Sequence, residues 1–425
     1  MSFQNYAESG TPLLTDPSSK TTGSFELTGT SVTVANTVRR AILTETRSVG
    51  FRADLTNATD PGVNIRKNTS VIFNEMLAHR LTLIPLGVRR IDEFDPSRYE
   101  CVLRVRNDQK GLIDSASLLH VKASDFQISE KQADGSMEVL GAAASAAMFP
   151  PDPVTKDTIL ITTLRPQWNP DQPPEEIDLT AYPVIGKGRD FMGYSPVSQC
   201  AYGYTVDPDP VRQEQFFNEW LDAYKKVNDP STLSEQQRAS YHQEWENMAA
   251  QRCYLIDEHG EPVSFSFTVE SVGIRPVQDI VAEGIRAVID LVSPYADTEK
   301  SFAELDVTVK PIDSRANGVD VVFNGQEHTL GNLLQTLITE LYLDTETPDA
   351  PITYAGYKVR HPLHRVMTLR LGIREGAQSD AAGIARQVVQ SAAARAVAIF
   401  TELGRSWSSM IGGGGASAAG PELDG

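Results

Sequence analysis

Few residue groupings in this 425-residue chain have the types and spacing of a reactive centre. Asp207-Pro-Asp-Pro is the nearest thing to a metal-holding acid pair. Nucleotidyl transfer needs clustered carboxylates that hold Mg²⁺ between substrate phosphates. Here a proline stiffens the backbone and no third carboxylate stands nearby, so the pair reads as a rigid acidic loop. Gly186-Lys-Gly lacks the spacing of a phosphate-cradling loop and reads as a glycine-permitted turn. His79 and His361 have no nucleophile motif beside them, and no Gly-x-Ser-x-Gly elbow occurs. Cys101, Cys200 and Cys253 stand far apart with no C-x-x-C, which argues against a zinc knuckle or a disulfide framework. No catalytic residue and no bound metal are expected. The pair that stands out for binding is Arg39-Arg40, on a predicted helix whose apolar stripe, Val34, Val38 and Ile42, lies on another side.

The elements that must carry these residues follow from hydrophobic spacing. Residues 1–23 are polar and read as a flexible arm, with a short strand at Phe25-Glu-Leu-Thr. Helices are predicted from Ser31, over about 70–81, from Pro276 with Val281, Ile285, Val288 and Val292 on one face, from Thr329, and over about 380–403. Alternation at Val263–Glu270 marks a half-buried strand, and further strands are predicted at 99–105, 158–162, 319–323, 352–359 and 366–373. Residues 88–261 change character, with strands between proline-rich loops and a polar helical hairpin over 211–252. They read as an α+β insert. Residues 293–317 read as a linker and 405–425 as a disordered tail.

The formal net charge is −18, from 38 Lys+Arg against 56 Asp+Glu. That excess argues against a protein that wraps nucleic acid, which needs a basic surface. The charge is uneven: residues 38–90 carry nine basic and four acidic side chains, residues 354–410 eight and three, and residues 205–261 five and twelve. No run approaches the length of a membrane span, and the N-terminus lacks a signal peptide's basic start and apolar core. An intracellular, reducing setting is expected.

An internal repeat is the strongest signal. Thr33-Val-Ala-Asn-Thr-Val-Arg-Arg-Ala-Ile aligns with Thr329-Leu-Gly-Asn-Leu-Leu-Gln-Thr-Leu-Ile at an offset of 296. Thr33 and Thr329 are candidate N-caps. Asn36 and Asn332 follow three residues on, and the small Ala35 and Gly331 suit close helix approach. Two such modules can pack on each other through their helices, making an intramolecular pseudo-dimer.

The motifs that carry this reading resemble a known family. Ser31-Val-Thr-Val-Ala-Asn-Thr-Val-Arg-Arg-Ala-Ile-Leu, Asn68-Thr-Ser, Ala78-His-Arg-Leu-Thr-Leu-Ile-Pro-Leu, Gly186-Lys-Gly…Ser-Pro-Val and Phe267-Thr-Val-Glu-Ser-Val-Gly resemble the third-largest subunit of eukaryotic RNA polymerase II. They are also similar to its archaeal D-type counterpart and to the N-terminal domain of bacterial α. Residues 318–404, through His328-Thr-Leu-Gly-Asn-Leu-Leu and Ala355-Gly-Tyr-Lys-Val-Arg-His-Pro-Leu, resemble the small partner, which is L-type in archaea and the eleventh subunit in polymerase II. Both in one chain looks like the fused form of some large nucleocytoplasmic DNA viruses.

The resemblance implies an α+β protein with two α-N-terminal-domain-like dimerisation modules. One is formed by 24–87 plus 262–292, interrupted by the insert, and the other by 318–404. It implies a non-catalytic assembly platform for the largest and second-largest subunits of a DNA-directed RNA polymerase. Small zinc-binding subunits of the tenth and twelfth type are further partners. No direct DNA contact, membrane contact or homo-oligomer is expected. Catalytic Mg²⁺ belongs to the largest subunit, and the zinc or iron–sulfur cluster of some relatives is expected to be absent. Arg39, Arg40, His79 and Arg80 fall where the family binds large subunits. Val34, Asn36, Val38, Ile42, Leu330, Asn332, Leu334, Leu337 and Val388 fall at the module–module interface. A viral setting implies virion and host cytoplasm, with the nucleus as an alternative. Two other readings are a host- or regulator-binding protein on the same scaffold and a stand-alone acidic α+β enzyme.

Overall fold

The computed structural model describes all residues except 58, 61, 112–116, 170, 313–316, 345–349, 362, 376–379 and 414–425. In chain order the strands are β1 (Ser2–Pro12), β2 (Lys20–Thr28), β3 (Arg47–Phe51), β4 (Val63–Asn68), β5 (Tyr99–Arg106), β6 (Leu119–Lys122), β7 (Phe126–Lys131), β8 (Met137–Val139), β9 (Leu160–Leu164), β10 (Glu176–Ala181), β11 (Pro183–Lys187), β12 (Val197–Tyr204), β13 (Ser264–Ser271), β14 (Val307–Pro311), β15 (Gly318–Asn324), β16 (Ile352–Val359) and β17 (Val366–Ile373). The helices are α1 (Val32–Thr44), α2 (Asn74–Thr82), α3 (Ala142–Met148), α4 (Pro210–Trp220), α5 (Glu235–Met248), α6 (Val277–Ala296), α7 (His328–Tyr342) and α8 (Ala381–Gly413).

Two antiparallel four-stranded sheets have the orders β1-β2-β13-β12 and β14-β15-β17-β16. They correspond strand for strand. Each module runs strand, strand, helix, strand, strand, helix, so α1 matches α7 and α6 matches α8. Strand alternation sends Phe25, Leu27, Phe265, Phe267 and Val269 to the helix side of the first sheet. Val319, Val321, Phe323, Leu369 and Leu371 do the same in the second. The apolar faces of α1, α6, α7 and α8 close over both sheets, and all of these side chains belong to one hydrophobic cluster. The fold is α+β, with two modules sharing a core inside one chain.

The module boundaries lie elsewhere than the sequence suggested. The insert begins after α1 and ends before β12. Strand β3 pairs with β11, and β4 joins the sheet β4-β10-β5-β7-β8. Val49, Phe51, Val63, Leu77 and Leu81 share the insert's own core with Leu103, Ile128 and Leu179. Residues 47–87 therefore fold with the insert, while β12 belongs to the first module's sheet. The 211–252 hairpin is a separate excursion between β12 and β13. It has a small core of Phe217, Trp220, Leu221, Trp245 and Ala249.

Three flexible assignments are also corrected. Residues 1–23 hold β1 and the start of β2, which pair as a hairpin, and Phe3 and Leu13 are buried. The linker narrows to 297–306, because α6 continues through Pro294 to Ala296 and β14 pairs with β15. Residues 405–413 continue α8, and Trp407 packs edge-on against Phe3, Tyr6 and Phe25. The remainder of the expected tail, 414–425, lies outside the described residues, as does Pro362 of the His-Pro-Leu motif.

Candidate assembly interface

The helix seam between the modules joins α6 to α8 and, through the repeat, α1 to α7. Val34, Val38 and Ile42 of α1, Leu330, Leu334 and Leu337 of α7, and Val388 of α8 are all buried in the shared cluster. Burying a side chain of this size is worth about 1.5–3 kcal/mol, and α6 adds Val281, Ile285, Val288 and Val292 to the same cluster. Asn36 and Asn332 are half-buried. The expected N-caps do not form: Ser31 and Glu327 hold the cap positions, neither with a side-chain cap bond. Thr33 instead meets Thr336 of the other module, hydroxyl to hydroxyl, at 3.1 Å. Asn36 Oδ1 accepts from Arg39 Nε and Nη2 at 3.1 and 3.0 Å. The small residues act differently from expectation as well. A Cβ on Gly331 would strike the Tyr357 ring of β16, whereas the close helix approach is Gly284 of α6 against Ile42.

The four predicted large-subunit contacts fall on two units and behave differently. Arg39 is tied to Asn36, and its charge reaches Cys200 and Tyr202 of β12. Arg40 is half-exposed, and its guanidinium makes no ion pair among the described residues. Arg80, on the insert's α2, donates from Nε to the Ile161 carbonyl and from Nη2 to the Leu160 carbonyl, both at 2.7 Å, pinning α2 to β9. His79 is exposed and lines a 490 Å³ cavity with Phe51, Leu55, Ala78, Phe191 and Tyr194.

Beside that cavity the chain presents bare apolar surface. Asn68 organises the turn before α2: its Oδ1 accepts from the Ser70 N–H at 3.0 Å and its Nδ2 donates to the Ile72 carbonyl at 2.9 Å. Phe73 and Met76, which follow, are 75% and 57% exposed, and Val71, Leu83 and Met192 are exposed too.

Sequence reasoning passed over the ion pairs that lock the insert onto the modules. Glu283 of α6, nearly buried, faces Arg275 Nη1 at 2.6 Å and Arg47 Nε at 3.1 Å, and accepts the Arg47 backbone N–H at 3.0 Å. Burial opposes ionisation of Glu283, but the Arg275 charge and the Arg47 bonds outweigh it and hold the carboxyl below its ordinary range. Buried Glu45 at the end of α1 pairs with Arg189 at 3.0 Å and Lys187 at 3.7 Å. Arg365 of the second module reaches Asp190 at 3.2 Å and Glu327 at 3.3 Å. The Gly186-Lys-Gly-Arg-Asp segment is thus a strap that touches both modules. Helix α6 also carries Asp279, Arg286 and Asp290, so nothing in the sequence set Glu283 apart. Among the described residues no cluster of three or more His, Cys, Asp or Glu could hold a metal ion, and no helix is long and apolar enough to cross a membrane.

Two matched sheet-and-helix modules, joined through their helices around one core, define a dimerisation protein whose two halves are covalently linked. The RNA polymerase Rpb3/Rpb11 dimerisation-domain model matches residues 24–292, and a second model of the same description matches residues 319–406. The chain belongs to this Rpb3/Rpb11 dimerisation-domain family. It is similar to the DNA-directed RNA polymerase II subunit RPB3 of Schizosaccharomyces pombe, 30% identical over 276 residues that cover 63% of this chain and 80% of that protein. It is also similar to the human DNA-directed RNA polymerases I and III subunit RPAC1, 23% identical over 305 residues covering 64% and 80%. The archaeal subunit Rpo3 of Methanosphaera stadtmanae is 29% identical over 184 residues, 42% of this chain and 56% of that protein.

Proposed function

We propose that the chain is the assembly-platform subunit of a multisubunit DNA-directed RNA polymerase, supplying both halves of an Rpb3/Rpb11-type pair in one polypeptide. The observation that carries this reading is the single hydrophobic core shared by two modules of identical element order. A pair that elsewhere forms between subunits is here closed within the chain, so no second copy is required. The chain's contribution to nucleotidyl transfer is positional: it holds the two large subunits, and they carry the chemistry and its Mg²⁺. Two features support docking of large subunits, the unpaired Arg40 on α1 and the exposed apolar surface around α2 with the His79 cavity. In this reading Arg80 acts by holding α2 to the β9 backbone, and Arg39 by holding the Asn36 side chain. Small zinc-binding subunits fit the same platform as further partners.

The test is co-expression with the two large subunits of the same source. Arg40→Ala leaves the melting temperature unchanged and lowers recovery of the second-largest subunit by about tenfold, as for an interfacial arginine worth 1–2 kcal/mol. Met76→Asp reduces capture through the α2 surface. Equal recovery of both large subunits with each variant would sink the reading.

A further inference from the structure

The two modules match in fold but not on the faces their sheets turn away from the core. On the first sheet the outward positions are Ser24, Glu26, Thr28, Ser266, Thr268 and Glu270, hydroxyls and acids. On the second the outward face carries Lys310, Lys358, Arg360 and Arg370, with Asp320 as its acid. Arg370 is spent on Asp320, through Nε at 2.7 Å and Nη2 at 2.8 Å. Lys310, Lys358 and Arg360 are exposed and form no ion pair among the described residues. Asp320 feels the charges of Lys358 and Arg360 as well as Arg370, so one acid faces four cations, and such an excess of like charge costs free energy unless something complements it.

This face is hollow. A cavity of 510 Å³ opens on it, with Lys310, Arg360, His361 and His364 around an apolar floor that includes Val322 and Val366. The His361 Nδ1 accepts the Leu363 N–H at 3.2 Å, which fixes the imidazole at the mouth of the cavity. Leu363 itself stands 83% exposed in the loop beside the cavity. The site therefore offers cations at the rim, imidazole rings, an apolar floor and an apolar knob.

We propose that this outer sheet face docks an acidic polypeptide segment of a partner protein, one that interleaves carboxylates with apolar side chains. Two observations favour a peptide over nucleic acid. The apolar floor and Leu363 need apolar side chains to cover them, which a phosphate backbone does not supply. The chain's charge of −18 repels a long polyanion, whereas a short segment seated in the cavity senses mainly the local cations. The cavity shares no lining residue with the one beside α2.

The test is fluorescence anisotropy with the full chain and a labelled peptide of alternating glutamate and leucine. A single-stranded oligothymidylate of equal charge is the comparator. Lys310→Glu/Arg360→Glu is expected to weaken peptide binding by about tenfold or more, since each exposed pair is worth up to about 1 kcal/mol and reversal adds repulsion. Leu363→Ser weakens it without changing charge. Lys226→Glu/Arg252→Glu, which removes the same charge from the helical excursion, leaves it unchanged. No peptide binding by the wild-type chain overturns the proposal. So does equal weakening by the control pair, or oligothymidylate binding of similar affinity with the same dependence on Lys310 and Arg360.

Discussion

Glu283 shows how a single side chain joins the insert to the modules. It is held between Arg275 and Arg47, and its carboxyl lies below the ordinary glutamate value although burial pushes it the other way. A carboxyl whose folded-state pKa is lowered gives stability that is complete above its unfolded value, near 4.5, and is lost as pH falls through the folded value. Glu283→Gln leaves two guanidinium groups against a neutral amide, one of them the buried Arg275. It should cost about 3 kcal/mol near neutrality, the scale for breaking a largely buried pair. That deficit should shrink as the pH is lowered below about 4.5, because the wild-type carboxyl then takes up a proton. Urea melts of both proteins across this range check the claim. A deficit that stays constant down to about pH 3 would show that the charge of Glu283 is not what holds the insert's β3 against α6.

At the scale of elements, the helical excursion is the cleanest case of an autonomous part. Its ends are adjacent: the Asp207 N–H donates to the Cys253 carbonyl at 2.9 Å, and Val206 bridges to Tyr254. Its core of Phe217, Trp220, Leu221, Trp245 and Ala249 is its own. Replacing residues 209–251 with a short Gly-Ser turn should therefore leave the melting temperature of the platform within a few degrees, and a broad or strongly lowered transition would contradict this. The excursion was legible in the sequence as a helical hairpin because amphipathic spacing is local. So were β16 and β17, whose runs of alternating residues ended where the strands end. The insert's boundary was not legible, because β3 finds β11 and β4 finds β10 across more than a hundred residues. The same holds for β1, whose Phe3 packs on Trp407 at the far end of the chain. The seam residues of α1 and α7 could be read from the repeat. The strap's Arg189 and the Arg365 that meets it could not, since nothing local marks a long-range ion pair.

For the whole molecule the question is what the covalent link between modules contributes. The two halves share one core, so the interface between them has the character of a domain interior cut in two, as in obligate dimers. A linker as short as 297–306 holds the second module at a high effective concentration, which speeds pairing but adds no contact. Cleaving the chain within that linker and co-expressing residues 1–299 with 303–425 should then give a stable one-to-one complex on size exclusion. Each half expressed alone exposes the α1/α6 or α7/α8 face and should aggregate or self-pair. Leu334→Asp in the smaller half sets a carboxylate against the buried seam at a cost of several kcal/mol, and the two halves should no longer co-elute. If the halves stay apart even without that substitution, the link itself holds the modules together and the shared core is weaker than its burial implies. If they pair and the variant does not, the fused chain is thermodynamically a heterodimer. Fusion then adds a fixed stoichiometry and fast pairing.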